Sequence, residues 1–251
     1  MKKTAVLLVL LFVTIIGYSQ TNNWYISFSM AGAFPLGDFS QTSLNPHNNT
    51  SGFAQKGFSL LLDATYPLTS KWGVKGLVLI NTNSMDNNKL ENMLVSRVPT
   101  LPGTPNPNYF SATANPWMSN ALLGGPVYTM SFGRAYLDFQ ILGGVNVTYL
   151  PQQKLQYNNP SNQWYYLDQN KNSTDVSWGV LAGSAFRFPV SPRLNLKVGL
   201  NYFRSNATLQ YQQIQYSEQA SPVMSQTLGS GSSVIPIQMV TGTIGFVYYL
   251  N

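Results

Sequence analysis

The sequence predicts an all-β protein, an eight-stranded antiparallel transmembrane β-barrel with short periplasmic turns and four long extracellular loops. Eight segments place an apolar residue at every second position, the pattern of a strand with two different faces. The connections between these segments are alternately short and long. Only 9% of the residues are charged although 44% are hydrophobic. This combination is expected when alternate strand residues meet lipid and the others fill the barrel interior.

The N-terminus has the features of a secretory signal peptide. Two lysines precede residues 5–16, an apolar run interrupted by one threonine, and Gly17-Tyr18-Ser19 then places small residues at positions −3 and −1 of a cleavage site after Ser19. The run is too short to span a bilayer as a helix, although a retained N-terminal anchor is the alternative. We therefore predict a cleaved signal peptide at residues 1–19 and one outer-membrane barrel domain at residues 20–251.

Composition excludes several classes of protein. The chain contains no cysteine, so it has no disulfide framework, thiolate metal site or lipidated cysteine. Loss of the two lysines in the signal peptide lowers the formal charge from +6 to +4, and the basic residues are scattered. We therefore expect no nucleic-acid partner and no cofactor.

The strands follow in order along the chain. Their predicted ranges are residues 24–34, 57–68, 72–81, 117–130, 137–149, 176–188, 194–202 and 240–250. The fourth contains Gly124-Gly125-Pro126, and because proline cannot donate to a strand ladder we expect a bulge there.

The connections predict the topology. About four or five residues join strands two and three, four and five, and six and seven, which is hairpin length. The other four connections run to roughly twenty to thirty-five residues. This alternation is typical of outer-membrane barrels and places both termini on the periplasmic side. Lys71, Arg134 and Arg193 near the short turns are expected to be solvated charges on the barrel rim.

Charge distribution predicts which strand face is inside. The apolar faces carry no charged residue, and every charge within a strand falls on the opposite face. These charges are Asp63, Lys75, Asp138, Arg187 and Lys197. An eight-stranded barrel has room inside only for side chains. We therefore predict a structural network of ion pairs in the lumen. A gated ion path or a proton relay is the alternative.

Aromatic residues cluster at the predicted strand ends, where amphipathic rings meet lipid headgroups. The periplasmic group is Trp24, Tyr66, Trp72, Tyr128, Phe188 and Tyr248, and the outer group is Phe34, Tyr149, Trp178 and Tyr202.

The long loops contain two further features. In the second loop, Asn88 precedes Glu91 at capping-box spacing and apolar residues follow, which predicts a short helix. In the third, Tyr157 and Trp164-Tyr165-Tyr166 flank a turn sequence, and the fourth also alternates, so we expect strands that project above the membrane. Exposed tyrosine and tryptophan would suit contact with a sugar or protein. The alternative is that these loops pack on each other.

Catalytic chemistry is not predicted. The only histidine, His47, shares the first long loop with Asp38, Ser40 and Ser43, but no His-x-Ser spacing occurs. The loop acids Asp86, Glu91, Asp168, Asp175 and Glu218 are dispersed. We therefore expect no enzymatic activity and no metal site.

Two segments resemble a known family. Residues 31–39 resemble the first strand and its exit in small outer-membrane β-barrels, and the aromatic last strand resembles their assembly signal, although it ends in Asn251. Residues 24–251 thus resemble the OmpX and OmpA-transmembrane-domain type of barrel. The resemblance implies an outer-membrane protein of a Gram-negative bacterium, in contact with membrane lipid and inserted by the barrel-assembly machinery.

We expect a non-enzymatic structural role, or a surface-binding or accessory subunit of a cell-envelope assembly. Its partner would be an envelope protein or a surface ligand that binds the extracellular loops. A narrow porin-like channel and a soluble lipocalin-like carrier are the alternatives.

Overall fold

A computed structural model describes residues 24–42, 51–97, 110–158, 164–169, 174–217 and 224–250. The segment predicted as a signal peptide lies outside them. No helix within these residues is long and apolar enough to cross a membrane.

The described residues form eleven strands and one α-helix. The strands are β1 (Tyr25–Pro35), β2 (Ala54–Pro67), β3 (Trp72–Met85), β4 (Phe110–Ala114), β5 (Trp117–Phe132), β6 (Ala135–Tyr149), β7 (Gln153–Asn158), β8 (Trp164–Gln169), β9 (Thr174–Pro189), β10 (Leu194–Ser217) and β11 (Met224–Tyr249). The helix is α1 (Asn87–Arg97), and a 3-10 turn covers Gly37–Phe39.

Eight of these strands close into a ring, which confirms the predicted fold class. The order is β1-β2-β3-β5-β6-β9-β10-β11, and β11 pairs back onto β1. Every pairing in the ring is antiparallel, and Tyr25 stands opposite Tyr249 where the first and last strands meet. Closure leaves no free strand edge around the ring, which is the condition for a sheet to span a membrane.

Alternation along each strand separates an outer and an inner surface. On β1, Ile26 and Phe28 point outward and are exposed, whereas Ser27 and Ser29 point inward and are buried. The same division holds for the charges, since Asp63 and the other four predicted interior charges are buried. The soluble-carrier alternative is therefore wrong, because it requires an apolar interior and a charged exterior.

The short turns differ from the predictions in one place. β5 and β6 are joined by only Gly133 and Arg134, and Gly133 has a φ of +59°. A two-residue hairpin with glycine first is the arrangement of a type II′ turn, whose twist matches that of the flanking strands. A backbone hydrogen bond also fixes the end of the last strand: Tyr249 N donates to Arg193 O at 3.0 Å. The end of β11 therefore lies beside the short turn between β9 and β10.

The bulge predicted at Gly124-Gly125-Pro126 is absent. The β5–β6 register is the same before and after these residues, with Gly124 opposite Gly143 and Val127 opposite Gln140. Because Pro126 has no N–H to donate, the β5–β6 ladder is interrupted there, but neither strand contains an extra residue. On its other side, Pro126 stays in register with Val74 of β3. Register shifts occur instead between Ala54 and Gly57 and between Gln213 and Ile214.

Strands extend well beyond the barrel at the long-loop end. β10 and β11 stay paired from Leu194–Tyr248 to Ser217–Met224, so most of the predicted fourth loop is a hairpin. The top of β10 also pairs with β8, β8 with β7, and β7 with β4. We call this assembly, with residues 206–217 of β10 and 224–237 of β11, the extracellular sheet. Its strands confirm the expectation that the loops project above the membrane.

Candidate functional site

The outer surface of the ring is an apolar band bordered by aromatic rings. Leu122, Ile141 and Leu200 are each exposed in its middle. At the short-turn end the rings of Trp72 and Tyr128 lie 4.9 Å apart, and at the other end Trp178 is 78% exposed. A closed barrel with this band and two aromatic belts is the outer-membrane type of barrel. The protein therefore spans the outer membrane, and its functional surfaces are the lumen, the lipid face and the extracellular sheet.

One carboxylate organises the first group of interior charges. Lys197 Nζ lies 2.6 Å from Asp63 Oδ2, and Ser27 Oγ donates to the same oxygen at 2.5 Å. Lys75 Nζ lies 3.6 Å from Asp63 Oδ1. Asp63 thus pairs with two lysines, one at each carboxylate oxygen. All three charged groups are buried, so removal of this carboxylate would leave uncompensated charge in a region of low dielectric constant.

Arg187 organises the second group. Its Nε lies 2.6 Å from Asp138 Oδ2, and Nη2 donates to Asp138 Oδ1 at 2.9 Å. Nη1 donates to Tyr249 Oη at 2.5 Å, and the guanidinium stands 4.5 Å from the centre of the Tyr25 ring. The planar guanidinium can bind the carboxylate with two nitrogens while it faces an aromatic ring, which a lysine ammonium cannot do. The arginine thus joins β9 to β6 and contacts both strands of the seam, β11 and β1, at the end where Tyr249 stands opposite Tyr25.

Neutral side chains connect the charged groups across the lumen. Lys75 Nζ donates to Gln140 Oε1 at 2.8 Å, and Gln140 Nε2 donates to Asn201 Oδ1 at 2.8 Å. Nearer the extracellular end, Asn146 accepts from Ser119 and donates to Ser205. These neutral residues were not among those predicted from the sequence. Their shared strand face with the charges was the available signal, because every second residue of a strand points the same way.

An apolar cluster closes the extracellular mouth of the barrel. The rings of Phe39 and Trp117 meet edge to face with centres 5.6 Å apart. Trp117 Nε1 donates to Gly52 O at 2.8 Å, which attaches the described part of the first loop to β5. Further buried members are Phe53, Met85, Leu90, Phe203, Ile235, Ile237 and Met239. The described interior is therefore filled from the charge network to the mouth.

Helix α1 lies beside the outer edge of the extracellular sheet. It occupies the position predicted for a helix, but its cap is Asp86, whose Oδ1 accepts from Lys89 N at 3.1 Å. The predicted capping residue, Asn88, is already inside the helix. Glu91 is instead turned toward β4, where its Oε2 accepts from Ala112 N at 3.3 Å. A carboxylate thus accepts a hydrogen bond from a backbone N–H of the edge strand, which makes this N–H less accessible to another strand.

The four aromatic residues proposed for surface contact lie on adjacent strands of the extracellular sheet. Tyr157 of β7 stands opposite Tyr165 of β8, and Trp164 stands opposite Asn158. Tyr166 stands opposite Tyr216 of β10. The backbone therefore gathers residues from three strands into one aromatic-rich region of the sheet.

The residues considered for catalysis are only partly described. His47 and Ser43 lie outside the described residues. Asp38 and Ser40 belong to the 3-10 turn and the residue after it, and Ser40 Oγ donates to Gly37 O at 3.0 Å. Among the described residues, no three His, Asp or Glu side chains are grouped as metal ligands.

Comparison of the sequence with protein-family models and with curated proteins finds no match. Solved structures with a similar chain course include Ail, the attachment invasion locus protein of Yersinia pestis, at 12% identity. The alignment covers 91% of this chain and 99% of Ail, with a TM-score of 0.41.

Two other solved structures are similar. A major outer membrane protein from Thermus thermophilus is 13% identical over 90% of this chain and 99% of its own, with a TM-score of 0.43. The outer membrane protease OmpT from Escherichia coli is 8% identical over 92% and 98%, with a TM-score of 0.41.

Proposed function

We propose that the protein is a non-enzymatic outer-membrane platform, an accessory subunit whose closed barrel holds the extracellular sheet above the membrane for a protein partner of the cell envelope. The observation that carries this proposal is the combination of a filled lumen with strands that continue beyond the barrel. Because β10 and β11 stay paired from the barrel into the extracellular sheet, they would hold the sheet above the bilayer.

The length of the projecting hairpin supports a surface role. Residues 206–217 of β10 extend roughly 40 Å along the strand at the usual rise per residue. They remain paired with β11, and their top pairs with β8. The barrel can close without this extension, because the pairing of β10 with its ring neighbour β9 already ends at Ser205.

The protected edge of the sheet indicates how a partner would bind. The backbone N–H of Ala112 on β4 donates to the Glu91 carboxylate. A partner strand that pairs with β4 at this point would first have to displace that carboxylate. The aromatic residues belong to β7, β8 and β10, which lie next to one another in the sheet. We therefore propose recognition through a face of the sheet, where tyrosine and tryptophan supply contact area with little loss of side-chain entropy.

A truncated hairpin tests the platform role. Gln210 stands opposite Ser232, so Asn-Gly in place of residues 211–231 closes the hairpin with a two-residue turn. This variant removes the β8 pairing partner and leaves every ring pairing in place. The control is Arg134→Gln, an exposed change in the turn between β5 and β6.

Each protein, tagged within residues 218–223 or in the new turn, is purified from mildly solubilised and crosslinked outer membranes. We expect one partner in stoichiometric amount with the full-length protein and the control, crosslinked to residues of the extracellular sheet and lost from the truncated variant. A partner retained by the truncated variant, or a barrel that purifies alone in all three cases, would overturn the proposal.

Conductance distinguishes the platform from the narrow-channel alternative. The filled interior predicts no current above the leak of a boiled sample when the protein is inserted in planar bilayers. Discrete conductance steps from the intact protein would favour a channel instead.

A further inference from the structure

Strands β1 and β2 separate at the extracellular end and leave a cleft on the lipid face of the barrel. Their ladder ends at the pair Ala33–Gly57. The next residues on the two strands, Phe34 and Lys56, have no pairing with each other. A cleft of about 430 Å³ lies between the strands there, lined by Phe34, Pro35, Ala54, Gln55 and Lys56.

Backbone chemistry explains why the strands part at this point. Pro35 has no N–H to donate, and Leu36 N donates to Gln238 O at 2.9 Å, so β1 stays with β11. On β2 the register with β3 shifts between Ala54 and Gly57, which leaves Gln55 and Lys56 together opposite a single residue of β3. A bulge of this kind bends its strand. The opening is therefore built into the sequence of both strands.

The cleft combines an apolar wall with one cation at the level of the membrane interface. Phe34 belongs to the outer aromatic belt and is exposed, as is Phe58 two residues below Lys56. The Lys56 side chain is exposed, and among the described residues no carboxylate lies within ion-pair distance of it. Lys56 lies at the same height on the barrel as Phe34 of the outer aromatic belt. Its ammonium group is therefore beside lipid headgroups rather than acyl chains.

The surroundings of the cleft determine its occupant. Phe34 on one side of it and Lys56 on the other are both exposed on the outer surface of the barrel, so the cleft opens toward the membrane lipid. An acyl chain suits a wall of phenylalanine and proline, and an exposed lysine at headgroup depth attracts a phosphate. The volume is within the range of small-molecule sites.

We propose that the β1–β2 cleft is a binding site for an anionic, phosphate-bearing lipid of the outer leaflet, with an acyl chain against Phe34 and Pro35 and a headgroup phosphate at Lys56 Nζ. This site is independent of the extracellular sheet, and it would hold the lipid whether or not a protein partner binds there.

Native mass spectrometry of the purified barrel tests the site. The protein is released from detergent micelles that contain either phosphatidylglycerol or phosphatidylcholine, and the fraction with retained lipid is measured. The variants are Lys56→Gln, which removes the cation, and Gln55→Trp, which fills the cleft without a change of charge. Lys71→Gln, an exposed lysine at the opposite end of the barrel, is the matched control. A heat-dependent shift in gel mobility verifies that each variant is folded.

We expect wild type and Lys71→Gln to retain phosphatidylglycerol preferentially. Lys56→Gln should retain about fivefold less, since one interfacial lysine contributes on the order of 1 kcal/mol. Gln55→Trp should retain less of both lipids. Equal retention of the two lipids by wild type, or folded Lys56→Gln and Gln55→Trp variants that match wild type, would overturn the proposal.

Discussion

Lys197 Nζ lies 2.6 Å from Asp63 Oδ2 although β10 and β2 are separated in the ring by β11 and β1. The contact therefore crosses the lumen. Lys75 approaches the same carboxylate from β3 at 3.6 Å. A single aspartate thus links three strands across the seam where the first and last strands meet, and its loss should affect closure of the whole barrel.

Replacement of Asp63 by Asn should destabilise the barrel by about 3–5 kcal/mol, because Lys75 and Lys197 would remain buried without a counter-charge. Urea unfolding in lipid vesicles, followed by tryptophan fluorescence, measures the change. Asp38→Asn, in the half-exposed 3-10 turn, should stay within about 0.5 kcal/mol of wild type.

A double variant tests whether the unpaired lysines cause the loss of stability. Lys197→Met in the Asp63→Asn background should recover part of the loss, since it removes one unpaired buried charge. An unchanged urea midpoint for Asp63→Asn would show that the ion pairs do not support the fold.

Replacement of Arg187 by Lys should destabilise the protein by about 2–3 kcal/mol although the charge is kept. Lysine cannot bind Asp138 with two nitrogens and also reach Tyr249 Oη. Arg134→Lys in the exposed turn is the matched substitution and should be neutral. Equal unfolding free energies for the two variants would contradict a specific role of the guanidinium geometry.

An arginine in place of Val198 should destabilise the folded barrel in lipid vesicles by about 2–4 kcal/mol, because this residue faces the middle of the lipid band. Val234 also points outward, but it stands opposite Thr208, above the outer aromatic belt. Val234→Arg should therefore cost only about 0–1 kcal/mol. Equilibrium unfolding of both variants locates the membrane boundary, and similar costs at the two positions would place it elsewhere.

Alanine at Gly125 should cost about 1–3 kcal/mol. A Cβ atom there would lie 2.3 Å from Ile141 O, so β5 and β6 would have to move apart. Gly76 is the control, because a Cβ at that position has no neighbour within 4 Å. Folding yields and unfolding free energies of the two alanine variants should differ clearly. If both variants behave like wild type, close approach of β5 to β6 is not required.

Prediction from sequence worked where information is local. A period of two assigned the strands and separated their faces, and the absence of charge on one face indicated which of them meets lipid. Glycine and proline were less informative. Pro126 continues a strand without a bulge, whereas the register shift before Gly57 has no comparable signal. The reason is that a bulge depends on how two strands meet, not on one residue type.

The sequence by itself therefore determined the closed barrel, the buried position of its five charges and the side on which strands project, because strand alternation and loop length express these properties directly. Only the tertiary structure decided which carboxylate Lys197 pairs with. Asp63 meets Lys197, 134 positions away in the chain, because ring closure brings β2 and β10 to face each other across the lumen. The opening between β1 and β2 also depends on the tertiary structure, because at this point β1 stays paired with β11 and β2 stays paired with β3.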